Sequence, residues 1–193
     1  MKHVKRTSRR TRLAVAGALV AATAAGTTLG AVSASASSPS PAARAASGAA
    51  AQSDVHQGDL AVSTHLDIDG AAKAAQAALD AAEKENQHVS VAVVDRDGNT
   101  VVTLRGDGAG PQSYVSAEKK AYTAVSWNAP TSELVKRLGR TPQLKDIPGT
   151  LFLAGGASVT AKGAPIAGIG VAGAPSGDLD EKFARAGVAA LTE

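Results

Sequence analysis

Near the end of the chain, Gly168-Ile169-Gly170-Val171-Ala172-Gly173 spells G-x-G-x-x-G. That spacing can cradle a dinucleotide pyrophosphate on a helix N-terminus. Such a site also needs an early βαβ unit and an acid about 20 residues on, at the end of a second strand. Here a single helix follows the glycines and the chain closes at Glu193, so the dinucleotide reading falls. Gly168 and Gly170 instead leave one face of a strand bare. A helix, a flat ligand or another subunit can then approach closely.

The other chemistry-bearing residues are sparse. There is no cysteine, and the only methionine is Met1. Thiolate and thioether ligation is therefore closed to a chain that loses its start. Neither H-E-x-x-H nor G-x-S-x-G occurs, and the four histidines are scattered, so no zinc-protease or serine-hydrolase pattern is present. Arg105-Gly106-Asp107 spells an adhesion tripeptide, a length that recurs by chance. Two acids three apart on a helix could share a metal. Asp80 and Glu83 have that spacing, which also suits an ordinary solvated face.

Positioning such groups requires a folded domain, and the first 36 residues do not belong to it. MKHVKRTSRRTR carries six basic residues and no acid, residues 13–32 are apolar, and Ala34-Ser35-Ala36 fits a signal-peptidase site. Together these predict a secretory signal. Arg9-Arg10, with a leucine three places on, resembles a twin-arginine signal, although Arg12 stands where an apolar residue is usual. Residues 13–32 are long enough for an uncleaved anchor, but leucine and isoleucine are scarce there. Residues 37–59 are rich in Ala, Ser and Pro and read as a disordered linker. The domain is expected over 60–193.

Six of the 20 basic residues leave with the signal, so 14 remain against 17 acids. The export-ready chain is acidic, and it lacks a basic stripe with interleaved aromatics. These features exclude nucleic acid as a partner.

Within the domain, Asp67 can cap a helix reaching about residue 86, with Ala71, Ala75, Ala78, Leu79 and Ala82 on one face. VSVAVVD (89–95) is a β-branched run, Asp97-Gly98 a hairpin signal, and NTVVTLR (99–105) the return strand. A helix is expected over 113–127, with Tyr114, Ala117, Ala121, Ala124 and Val125 along its stripe. A short helix follows Pro130-Thr131 and ends at Gly139. LFLAGG, ASVTAKG and PIAGIGVAG read as short strands. A last helix over 177–191 carries acids in its first turn, which suits the dipole. No internal repeat is present. The order predicts an α+β single domain, an antiparallel sheet with packed helices.

Four stretches, VAVVDRDGN, AEKKAYTAVSWNAPTSEL, DIPGTLFLAGG and GAPIAGIGVAGAPSGDLDEKFARAG, resemble the GlcG/HbpS family of haem-binding proteins. The resemblance covers nearly all of residues 66–191, and the leader points to its secreted actinobacterial branch. It implies a sheet-and-helix fold, assembly into a homo-oligomer, haem as cofactor and, in the secreted branch, iron. It further implies a sensing role through contact with the extracellular part of a membrane sensor kinase. A haem- or corrinoid-linked enzyme, with weak peroxidase or haem-degrading activity, is the alternative, since a bound cofactor carries that chemistry.

The resemblance places the haem ligand at Thr150, in the loop IPGT. A threonine oxygen is a hard, weak ligand suited to ferric haem that is readily released. The residue could equally just begin a strand after Gly149. By residue type, the usual axial ligands leave His56, His65, His88, Tyr114 and Tyr122. His65 and His88 are candidate metal ligands, though each could be a capping or surface histidine. Lys119, Lys120, Arg137 and Arg140 are cations available to propionates. Secreted relatives carry E-x-x-E at the start of the long middle helix. Here Val115 stands at the first position and only Glu118 remains as a metal ligand, which puts iron binding there in doubt.

Overall fold

The computed structural model describes residues 54–192. The expected signal and most of the expected linker therefore lie outside the described residues. His56 caps a short 3-10 turn, Gln57–Asp59, and the segment onward to Asp67 has no regular secondary structure. Helix α1, Ile68–Glu83, begins where Asp67 accepts a hydrogen bond from the Gly70 amide at 2.7 Å. Its buried stripe, Ala71, Ala74, Ala75, Ala78, Leu79 and Ala82, is almost all alanine, so the helix axis lies close to what it packs on. Strands β1 (Ser90–Asp95) and β2 (Thr100–Arg105) form the expected hairpin, and β3 (Gly156–Ala161) and β4 (Ala164–Ala172) form a second one. Pairing of β1 with β4 joins the two into one antiparallel sheet of order β2-β1-β4-β3.

Period-two alternation sorts the central strands between two layers. Val91, Val93, Ile169 and Val171 point into the main core with α1 and with helix α4, Gly177–Ala189, whose Phe183 is fully buried. Ala92, Val94 and Ala172 point the other way, onto helix α2, Pro111–Trp127. Gly168 and Gly170 belong to this second face. A β-carbon on Gly168 would overlap the Ala121 carbonyl, and one on Gly170 the Ala117 carbonyl. Of the three visitors that a bare strand face admits, the sheet receives its own helix.

Two expectations fail. LFLAGG is not a strand. Leu151 donates its amide to Thr123 Oγ1 at 2.8 Å, Phe152 drops into a pocket with Ala129 and Leu134, and its ring meets Trp127 edge-on at 5.3 Å. The apolar run is a plug beneath helix α3, Thr131–Arg137. Tyr114 is not part of the buried stripe, being 42 % exposed. The helix starts at Pro111, an N1 position that proline suits, and its first inward residue is Ser113, whose hydroxyl meets that of Ser90 at 2.8 Å. Arg105 of the adhesion-like tripeptide folds back, its guanidinium donating to the Ala109 carbonyl at 2.6 Å. Among the described residues, no helix is long and apolar enough to cross a membrane.

Candidate functional site

The loop that carries Thr150 is built by its own sequence. After a 3-10 turn, Pro142–Asp146, Pro148 and Gly149 occupy the middle of a tight turn. Gly149 has φ 80°, the left-handed value a turn of the Pro-Gly kind requires. The Thr150 amide closes the turn on the Ile147 carbonyl at 3.3 Å, and the Thr150 hydroxyl donates to the same carbonyl at 2.8 Å. That second bond matters chemically. It engages the hydroxyl proton and leaves the oxygen of a partly exposed side chain able to accept. The Leu151 amide on Thr123 then ties the loop to α2.

Opposite this loop stands the β1–β2 turn. Asp95 Oδ1 accepts the amides of Asp97 at 2.9 Å and Asn99 at 2.8 Å. Partial burial alone would raise the Asp95 carboxyl. The Asn99 and Asp97 donors and the nearby His65 more than offset that, and hold it below the ordinary aspartate range. Gly98 and Gly149, one from each turn, lie against the Tyr122 ring. Between them is a shallow depression of about 430 Å³, floored by Tyr122 and flanked by Glu118, Lys119 and Pro148. Ile147 (41 % exposed) and Val115 (50 % exposed) extend the apolar surface of the IPGT loop and of α2.

The expected site residues divide among separate places. Glu118 lines the depression next to the IPGT turn, where Thr103 donates to it at 3.4 Å. With Val115 one helical turn before it, no second carboxylate on α2 joins it. His65 lies beside the hairpin turn, 3.5 Å from Asp97. His88 is at the opposite end of β1, its Nδ1 2.8 Å from the Asp107 carbonyl, in a different hollow with Glu83. His56 is exposed and spent as a cap. Asp80 is engaged by Gln76 at 2.6 Å, on an outer face of α1.

Of the four cations, Lys119 borders the depression, whereas Arg137 and Arg140 line a groove elsewhere. Lys120 differs most from expectation, being buried away from the depression and already paired. Its ammonium donates to Asp180 at 2.8 Å and to the Val171 carbonyl at 3.0 Å. Burial pushes the Asp180 carboxyl above the ordinary range, with Lys120 and the Ala174 amide pulling against it. Next along α4, Glu181 is also buried, which alone would raise it. Arg185 and the Ser132 amide and hydroxyl outweigh that and hold it below the usual glutamate range. These buried charges satisfy one another and fasten α4 to α2 and α3. Tyr122 as the floor between two turns went unread in the sequence, where it looked like either core or ligand. Its clue was a glycine in each of the two flanking turn motifs.

With this geometry in place, residues 66–189 match the family model described as haem degrading protein HbpS-like. The chain belongs to the HbpS-like family. No curated protein matches it. Among solved structures it is similar to HbpS at 74 % identity, with a TM-score of 0.71, covering 71 % of this chain and 97 % of that one. A Streptomyces reticuli HbpS double mutant with two glutamates changed to aspartate is also 74 % identical, with a TM-score of 0.72 and coverage of 73 % and 97 %. PduOC in complex with haem is 27 % identical over 66 % of this chain and 95 % of that one, with a TM-score of 0.61. The expected family and fold are thereby borne out, and the function of this HbpS-like chain is haem-related.

Proposed function

We propose that this HbpS-like protein binds haem on the open face between the IPGT loop, α2 and the β1–β2 turn, with Thr150 supplying an oxygen ligand to the iron. The observation that carries the reading is the Thr150 hydroxyl. Its proton is committed to Ile147, which leaves the oxygen able to accept, in the loop whose Pro148 and Gly149 line the depression with Tyr122. The residues fit haem as one wall of a site: an apolar, ring-bearing floor, a hard oxygen donor and Lys119 at the border for a propionate. A neutral alcohol oxygen holds ferric iron weakly, which suits a carrier or sensor that must let go. The leader motifs support placing this activity outside the cell. The GlcG/HbpS resemblance supports a homo-oligomer acting with the extracellular part of a membrane sensor kinase.

The description of the matching family, haem degrading, favours a second reading in which bound haem is consumed. Bound haem would supply redox chemistry at its iron, and the residues named here would orient it and cover one of its faces.

Haemin titration of the full chain, followed in the Soret band, tests the proposal. Wild type is expected to shift the band. Thr150→Ala should weaken binding at least about 10-fold, as loss of an orienting metal contact does, and Thr150→Ser should restore it. No band shift in wild type would reject haem binding, and identical titrations for wild type and Thr150→Ala would reject the ligand. Decay of the bound Soret band faster than that of free haemin, with a reductant and oxygen, would support the degrading reading.

A further inference from the structure

His65 was a histidine without partners in the sequence, and the fold supplies them. The segment leading into α1 is fixed on both sides of it: Leu66 packs against the main core, and Asp67 caps the helix. This sets the imidazole beside the β1–β2 turn, 30 positions away in sequence. One ligand atom each from His65, Asp95 and Asp97 then lies within 4.8 Å of the others. His65 Nε2 is 3.5 Å from Asp97 Oδ2. Metal–ligand bonds of about 2.0–2.2 Å place neighbouring donors roughly 3–4 Å apart, so this pair needs little movement. Asp95 spends Oδ1 on the turn amides, while Oδ2 has a single long contact, 3.2 Å from Asn99 Nδ2. The Ser63 hydroxyl, 2.6 Å from His65 Nε2, adds a further oxygen at the same place.

We infer that His65, Asp95 and Asp97 form a surface site for a first-row divalent transition ion, sharing neither Thr150, Tyr122 nor Lys119 with the proposed haem face. One imidazole nitrogen with two carboxylates is a mixed donor set. It is too nitrogen-bearing to favour magnesium or calcium, and it suits iron(II), manganese(II) or zinc. Two carboxylates and one imidazole thus converge on a point open to solvent. The His65 side chain is 38 % exposed and that of Asp97 59 % exposed, so an ion can enter without any opening of the fold. The ligands come from two segments, so an ion would pin the chain before α1 to the hairpin whose other side, at Gly98, rests on Tyr122.

The test is manganese(II) binding to the full chain without haem, counted by electron paramagnetic resonance of the free ion. Wild type is expected to bind with a dissociation constant tighter than about 1 mM, the weak end for extracellular cation sites. His65→Ala and Asp97→Asn should each weaken binding at least about 10-fold. Asp178→Asn, an exposed acid in the first turn of α4, should leave it unchanged. Both substitutions lie at the surface, and far-UV circular dichroism confirms that each variant is folded. No binding below about 1 mM would overturn the assignment. So would binding that survives His65→Ala, or that is lost in Asp178→Asn.

Discussion

Lys119 and Lys120 are adjacent on α2 and sit in opposite surroundings. Lys119 borders the open depression beside the IPGT turn. Lys120 is turned through the helix toward β4, 4 % exposed and paired with Asp180. The same contrast runs along the whole helix. On its inner side, carbonyls of α2 rest on the bare backbone of Gly168 and Gly170, and every buried charge has a partner. On its outer side, Glu118, Lys119 and Tyr122 line the open depression with Pro148 and Gly149 of the IPGT loop, and Val115 is exposed. The inner polar groups hold the layers in register, and the outer ones are free for a ligand. If that division is right, substitutions on the two sides should act on different observables.

The most damaging change should be Gly170→Val. Its branched side chain has no room under Ala117, so we expect the sheet and α2 to separate. The loss should be about 3 kcal/mol or more in urea unfolding, at or beyond the upper end for overpacking. Next is Lys120→Ala, which strands the buried Asp180 carboxylate and should cost about 3–5 kcal/mol. Replacing both partners by Met and Leu should recover most of that loss. A double mutant no more stable than Lys120→Ala would show that the pair contributes more than mutual neutralisation. Thr150→Ala belongs to the outer side. It should leave urea unfolding within about 0.5 kcal/mol of wild type while weakening haemin binding.

A pH comparison sharpens the inner side. Glu181 has a lowered folded-state pKa. Its stabilising contribution is therefore complete above the unfolded glutamate value of about 4.3 and is lost as pH falls through the folded value. Glu181→Gln should be destabilised at neutral pH, and its deficit relative to wild type should shrink below that point. Smallest of all, Lys119→Ala should change stability by less than about 0.5 kcal/mol and weaken haemin binding only severalfold, in a salt-dependent way.

Much of the fold was legible because the relevant signals were local. The alanine stripe of α1, the Asp97-Gly98 turn and the β-branched run of β1 each specify their element without outside help. LFLAGG misled because an apolar run with no polar alternation reads as a buried strand, whereas only the fold shows that Phe152 plugs α3. The glycines of β4 announced close approach but not by what. The candidate site was less legible, for a physical reason. Its parts come from a hairpin turn, a helix face and a loop some 50 residues apart, and nothing in AEKKAY tells which lysine turns inward. Thr150 entered through family resemblance, and no pattern of spacing would have selected it. The meeting of His65 with Asp95 and Asp97 depends on α1 and the hairpin sharing one end of the sheet, which is a tertiary fact.

The account stands on the outer face of α2 being where porphyrin lies, and backbone amide shifts can map that without relying on any mutant. Titrating the isotopically labelled protein with gallium protoporphyrin, a diamagnetic stand-in for ferric haem, should move amides of the β1–β2 turn, of Glu118 to Tyr122 and of Ile147 to Leu151 most. Shifts concentrated instead around His88, or at the start of α4, with the IPGT loop unmoved, would contradict it.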